Sequence, residues 1–194
     1  MPDTPVTATA RVFRPVLLRS AVAIAFGAVT VFWGQPTASA AAWLLAGYFV
    51  GLAAAQAWQL REEGRWADPS ARPAPAARSI ASAAFGLAAA IGLALGTLPH
   101  VTGVAVGAAA AFALTGASDL YRGLAGRRMS PLARDAVITG VVHLGAAGLV
   151  PFFAPLGAHA LLGVAGGAAI LTGVLLAVAG LSLRHDSAPR TGVA

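Results

Sequence analysis

The chain contains no cysteine and no lysine, and only 10% of its residues are charged. Without cysteine there is no disulfide framework, no thiol nucleophile and no thiolate metal site. A soluble domain carries about 25% charged residues, so a water-soluble enzyme with a conventional polar shell is excluded. What is present instead is apolar. Of the 194 residues, 58% are hydrophobic, and mean hydropathy is +0.76. Thirteen arginines against seven acids give a formal net charge of +6.

A hydrocarbon core about 30 Å thick needs about 20 mostly apolar residues per helix. Six stretches approach or exceed that length: Val16–Trp33, Ala38–Leu60, Ile80–Leu98, Val101–Tyr121, Ala136–Phe153 and Gly157–Leu183. Backbone polar groups in lipid must pair internally, and these runs lack the alternation of barrel strands. The expected class is all-α: a polytopic integral membrane protein of six transmembrane helices forming a single membrane domain. No catalytic, cofactor or metal motif is present. Glu62 and Glu63 are read as solvated loop acids beside Arg61 and Arg65.

The charges sort by side. Arg11, Arg14 and Arg19 head the first span, and Arg61, Arg65, Arg72 and Arg78 separate the second from the third. Arg122, Arg127, Arg128 and Arg134 separate the fourth from the fifth, and Arg184 and Arg190 follow the sixth. The opposite turns, around Gln35, His100 and Leu156, hold none. The positive-inside rule therefore makes both termini and the loops 61–79 and 122–135 cytoplasmic. Ala38-Ser39-Ala40 imitates a signal-peptide cleavage site, but cleavage there would spoil the charge pattern, so the first span is expected to be retained. Arg127 and Arg128 are positioned for anionic headgroups, and basic charge here serves lipid rather than nucleic acid. Trp33, Trp43, Trp58 and Trp66 are read as interface anchors.

The chain also repeats itself. Arg19-Ser20 precedes Phe26-Gly27 as Arg78-Ser79 precedes Phe85-Gly86. Leu114-Thr115-Gly116 matches Leu171-Thr172-Gly173, with Val50-Gly51 as a weaker counterpart, and Pro36, Pro99, Pro151 and Pro155 mark the outer turns. Three helical hairpins result, over about 14–61, 72–122 and 134–184. Gly47/Gly51, Gly92/Gly96, Gly103/Gly107 and Gly163/Gly167 have the spacing of close helix packing, within the protein or in a homo-oligomer.

With its length, six spans, three hairpins and glycines in each second helix, the chain resembles the HdeD-type acid-resistance membrane proteins of bacteria. The resemblance covers about Arg14 to Arg184. It implies a small inner-membrane protein linked to acid or envelope stress, with no established catalytic activity to carry over, and the expected function is non-enzymatic, acting through packing in the bilayer or through a partner. Many members carry Asp just before the glycine of the even helices, where this chain has Val50, Thr115 and Thr172.

Polar residues inside the spans form stripes. Asp135, Thr139 and His143 are spaced i, i+4, i+8, and Thr115, Ser118, Asp119 and Arg122 are spaced i, i+3, i+4, i+7. If the stripes face each other, they line a cytoplasm-facing cleft between the fourth and fifth helices for protons or a small solute, as in a small transporter or channel. The alternative is structural: an Asp119–Arg122 ion pair, with neutral His143 bonded to Thr139 or a carbonyl. Gln56 is read as snorkelling or as a helix–helix hydrogen bond. His100 and His159, at the outer turns, are candidates for pH response.

Overall fold

The computed structural model describes residues 5–65, 73–97, 100–127 and 130–187, with side chains from residue 12. Its helices are α1 (Pro5–Phe32), α2 (Ala38–Gly64), α3 (Pro75–Leu95), α4 (Val101–Ala125), α5 (Ala133–Phe153) and α6 (Ala158–Asp186). Among the described residues there is no strand. Each of the six helices is long and apolar enough to cross a membrane. The shortest, with 21 residues, reach about 32 Å at 1.5 Å per residue.

Several boundaries move relative to the apolar runs, and two of them bear on the site. α1 begins at Pro5, eleven residues before Val16, so Arg14 and Arg19 lie inside a helix. Proline suits a first helical turn because that turn's N–H groups have no intrahelical acceptor. α2 continues through Arg61, Glu62 and Glu63 to Gly64, since charged straight-chain residues sustain a helix after the apolar run has ended. At the opposite end the Thr37 hydroxyl caps α2 by accepting from the Ala40 N–H at 3.1 Å. α6 is entered through Gly157 at φ 94°, a left-handed conformation that a β-carbon would penalise.

The helices close into a ring: each packs on its chain neighbours, and α6 returns to pack on α1. Packing is densest at α4–α5, which joins the second hairpin to the third, and at α1–α6, which joins the third back to the first. Glycine makes these junctions possible. Gly166, Gly173 and Gly180 recur every seven residues along α6, facing Thr30, Ile24 and Leu17 of α1. At α4–α5 backbone touches backbone: a β-carbon on Gly140 would lie 2.6 Å from the Leu120 nitrogen and 2.8 Å from the Gly116 carbonyl.

The four glycine pairs at i, i+4 play a smaller part than their spacing promised. Gly92 and Gly96 both abut α2, at Ala46 and Trp43, and Gly51 and Gly107 meet Val22 and Leu95. Gly47, Gly103, Gly163 and Gly167 have open space beside them.

The half of the ring nearest the Pro-containing turns is filled with apolar side chains. Leu45, Phe49, Phe112, Val104, Val150, Leu161 and Leu162 are each no more than 1% exposed. Phe49 and Phe112 meet edge to face at 5.1 Å. The half nearest the arginines is built differently.

Candidate functional site

Arg19 crosses the centre of the ring. It lies seven residues into the apolar part of α1, Val12–Phe32, so about 10 Å from the Arg-rich end, and its side chain is only 5% exposed. Its Nη1 donates to Asp119 Oδ1 and to Gln56 Oε1, each at 3.2 Å, and its Nη2 donates to Asp119 Oδ2. The guanidinium carbon also sits 5.0 Å from the centre of the Phe85 ring, a cation–π distance. One side chain from α1 thus touches α2, α3 and α4.

The polar layer continues into α5. Asp119 Oδ2 is 3.9 Å from His143 Nδ1, and His143 Nε2 is 3.3 Å from the Tyr48 hydroxyl. Tyr48 in turn stacks on Phe26, with ring centres 4.4 Å apart. Asp119, His143, Gln56 and Tyr48 are all buried. The Thr172 hydroxyl of α6 also lies beside the Tyr48 side chain, and beyond these two is the apolar half.

Nearer the Arg-rich end a second ion pair spans the ring. Arg122 Nη2 donates to both carboxylate oxygens of Glu63, at 2.8 and 2.9 Å, and Gln59 Nε2 donates to Glu63 Oε1 at 2.8 Å. Neighbouring acids on a helix point apart, and here they do. Glu63 turns inward, whereas Glu62 faces out to Arg65 at 2.7 Å and Trp58 at 3.3 Å. Glu63 is therefore an interior helical residue, not a solvated loop acid.

A cleft of about 100 Å³ opens between these pairs. Its polar lining includes Arg19, Asp119, Thr139, Glu63, Arg122 and Asp135. Five buried side-chain atoms in this region have no hydrogen-bond partner in the protein: Arg19 Nε, Gln56 Nε2, Ser118 Oγ, Thr139 Oγ1 and His143 Nδ1. Leaving a buried polar atom unsatisfied typically costs about 1–3 kcal/mol. Two of the five, Arg19 Nε and Thr139 Oγ1, belong to residues that line the cleft.

The two stripes expected on α4 and α5 do converge, but the cleft does not run between those helices. Their backbones are in contact through Gly116, Gly123 and Gly140, which leaves no room, and the opening lies inside the ring instead. Asp119, Arg122, Asp135 and Thr139 line it, while Ser118 and His143 are buried beside it. Asp119 and Arg122 do not pair with each other; their partners are Arg19 and Glu63. Nor does His143 bond Thr139 or a backbone carbonyl, since its nearest polar neighbours are Tyr48 and Asp119. Thr115 bonds the carbonyls of Ala111 and Phe112, and Thr172 those of Ala168 and Ala169. In the repeated Leu-Thr-Gly segments the threonine satisfies itself on its own helix, and the glycine makes the interhelical contact.

Other expected residues lie away from the cleft. His100 and His159 are exposed at the opposite end, where His159 Nδ1 donates to the Trp33 carbonyl at 3.2 Å. Arg127 is exposed at the Arg-rich end. Trp33, Trp43 and Trp58 are 42%, 54% and 38% exposed on the outside of the ring, as interface anchors would be. Arg128, Trp66 and Pro99 fall outside the described residues. Among the described residues no group of three or more His, Asp or Glu side chains is arranged to hold a metal.

Six membrane-length helices closed around a buried polar layer define a multi-pass membrane protein. No protein-family model matches the chain, and no curated protein or solved structure does either.

Proposed function

We propose that this protein is a non-enzymatic integral membrane protein whose working part is the one-ended cleft, which binds a small polar solute entering from the Arg-rich side. The observation that carries this reading is the cleft floor: Arg19 Nε and Thr139 Oγ1 are buried, unpartnered and on residues lining the opening. Stability alone is a weak reason for such a floor. Buried ion pairs can often be replaced by packed apolar side chains without loss, and ionisable groups at membrane depth are functional by default. The filled half around Phe49 and Phe112 favours a closed-ended site over a continuous pore.

On this reading the arginine-bearing side faces the cytoplasm of a bacterial inner membrane, in keeping with the positive-inside rule. Exposed Arg127 meets anionic headgroups there. The resemblance to HdeD-type proteins supplies a setting in acid or envelope stress.

A ligand that binds only the folded state raises stability, by about 2.7 kcal/mol at one hundred times its Kd. The purified protein in detergent is therefore screened by thermal unfolding against small carboxylates, amides, amines, phosphate and polyols. At least one class is expected to protect the wild type and to leave a folded Arg19→Leu/Asp119→Leu variant unprotected. Equal behaviour of the two proteins across the panel would overturn the assignment.

A further inference from the structure

We infer that the cleft binds a small carboxylate together with one proton, and that the proton is held on His143. This inference rests on the cleft being a solute site, and adds the chemical class of the solute.

The first argument is the hydrogen-bonding capacity left on Arg19. A guanidinium has five N–H groups. Both on Nη1 are used, by Asp119 and Gln56, and one on Nη2 is used by Asp119. The remaining two, on Nη2 and Nε, lie along one edge of the planar group, and Nε has no partner. Two parallel N–H bonds along an edge form the fork that fits the two oxygens of a carboxylate. Thr139, also lining the cleft, offers a free hydroxyl as a further donor. The size agrees. A cavity of about 100 Å³ is smaller than the roughly 150 Å³ that admits benzene, which suits an acid of one to three carbons.

Charge balance supplies the second argument. Arg19–Asp119 and Arg122–Glu63 are each neutral as pairs, and Asp135, at the mouth beside Arg134, adds no positive charge to the floor. A bound carboxylate would leave one uncompensated negative charge about 10 Å inside the membrane, which is costly. A proton taken up beside it removes that charge. His143 is the base in position: its Nδ1 is buried, without a hydrogen-bond partner and 3.9 Å from Asp119 Oδ2, and its neutral ring carries one N–H and has one nitrogen free to take a proton. Protonated imidazole donates from both nitrogens, so Nδ1–H would turn to Asp119 and Nε2–H to the Tyr48 oxygen. Asp119 lines the cleft and is the way in.

The groups facing His143 are few. α2 presents Tyr48, α4 Asp119, and α1 Arg19 through Asp119, while Asp135 lies two turns toward the mouth on α5 itself. α6, packed along α5, carries titratable groups only at its ends: His159, Arg184, His185 and Asp186. In the binding step one proton from solution forms one N–H bond on His143 as one anion enters, and both depart together. No other bond changes.

Acetate, acetamide and phosphate are titrated into the purified protein in detergent, with proton uptake followed by an indicator in weak buffer. Acetate is expected to bind with one proton per anion, its affinity falling about tenfold per pH unit, while acetamide and phosphate do not bind. His143→Gln should take up no proton. Thr139→Val should weaken acetate several-fold yet keep one proton per anion bound. Acetamide or phosphate binding as well as acetate would overturn the carboxylate assignment while leaving the cleft a solute site. Acetate binding without proton uptake in the wild type, a measurement independent of any variant, would overturn the coupling. Uptake persisting in His143→Gln would displace the proton from that residue, and unchanged affinity in Thr139→Val would displace the anion from the floor. If no compound of the wider solute panel protects the wild type, the cleft reading falls as well.

Discussion

Asp119 holds Arg19 with both of its carboxylate oxygens across the middle of the ring, although the two are 100 residues apart in the chain. Removing one partner leaves the other charged and buried, which costs about 3–5 kcal/mol, whereas apolar replacement of both is often neutral. Asp119→Asn is therefore expected to destabilise the protein by an amount in that range. Arg19→Leu combined with Asp119→Leu should recover most of the loss. Reversible unfolding in mixed micelles measures both, and a double variant as unstable as the single one would contradict this account.

The contact between α4 and α5 allows no side chain at Gly140. A β-carbon there would press on the backbone of Leu120 and Gly116, and neither can yield without moving a helix. Gly140→Ala is expected to cost about 1–3 kcal/mol, the usual range for overpacking. Gly145, on the same helix, has open space beside it. Gly145→Ala should be neutral or slightly stabilising, because alanine favours the helix by about 1 kcal/mol. The unfolding midpoint of Gly140→Ala should fall below that of the wild type, and the midpoint of Gly145→Ala at or above it.

Because the natural chain has no cysteine, single cysteines report sidedness without background. Gln35→Cys and Thr97→Cys lie at the Pro-turn end, and Ser79→Cys and Ser130→Cys at the other. A membrane-impermeant maleimide added to intact cells should modify the first two. The second two should react only after permeabilisation. The reverse pattern would invert the orientation proposed here.

The six helices and their order could be read from the apolar runs because length and hydropathy alone determine what can cross lipid. Half of the polar layer could be read too. The i, i+4 and i, i+3 stripes on α4 and α5 fix a shared face whatever the partners turn out to be. What each residue pairs with could not, because partners come from helices whose rotation the sequence leaves open.

Arg19 is the clearest case. In the repeat it matches Arg78, which lies three residues after the start of α3 and donates to the Leu60 carbonyl at 3.2 Å. Arg19 instead follows fourteen helical residues of α1, and this extra length carries it inward. An arginine at the head of an apolar run looks the same in both settings.

Glu63 escaped for a related reason: a charged Arg-Glu-Glu sequence resembles the end of a helix, yet α2 continues through it. Tyr48 left the faintest trace, one hydroxyl in an apolar run. Gln56 was visible, and of its two readings the interhelical hydrogen bond is the one that forms.

During synthesis Arg19 reaches the bilayer long before its counter-ion exists. At about 5–20 residues per second, the ribosome needs roughly 5–20 s to supply the intervening stretch. For that time the first helix carries a lone cation, which at mid-membrane would cost about 2.5–3.5 kcal/mol. The nascent helix should therefore float shallow, its guanidinium reaching back to the headgroups, and sink to its final depth only when the fourth helix arrives.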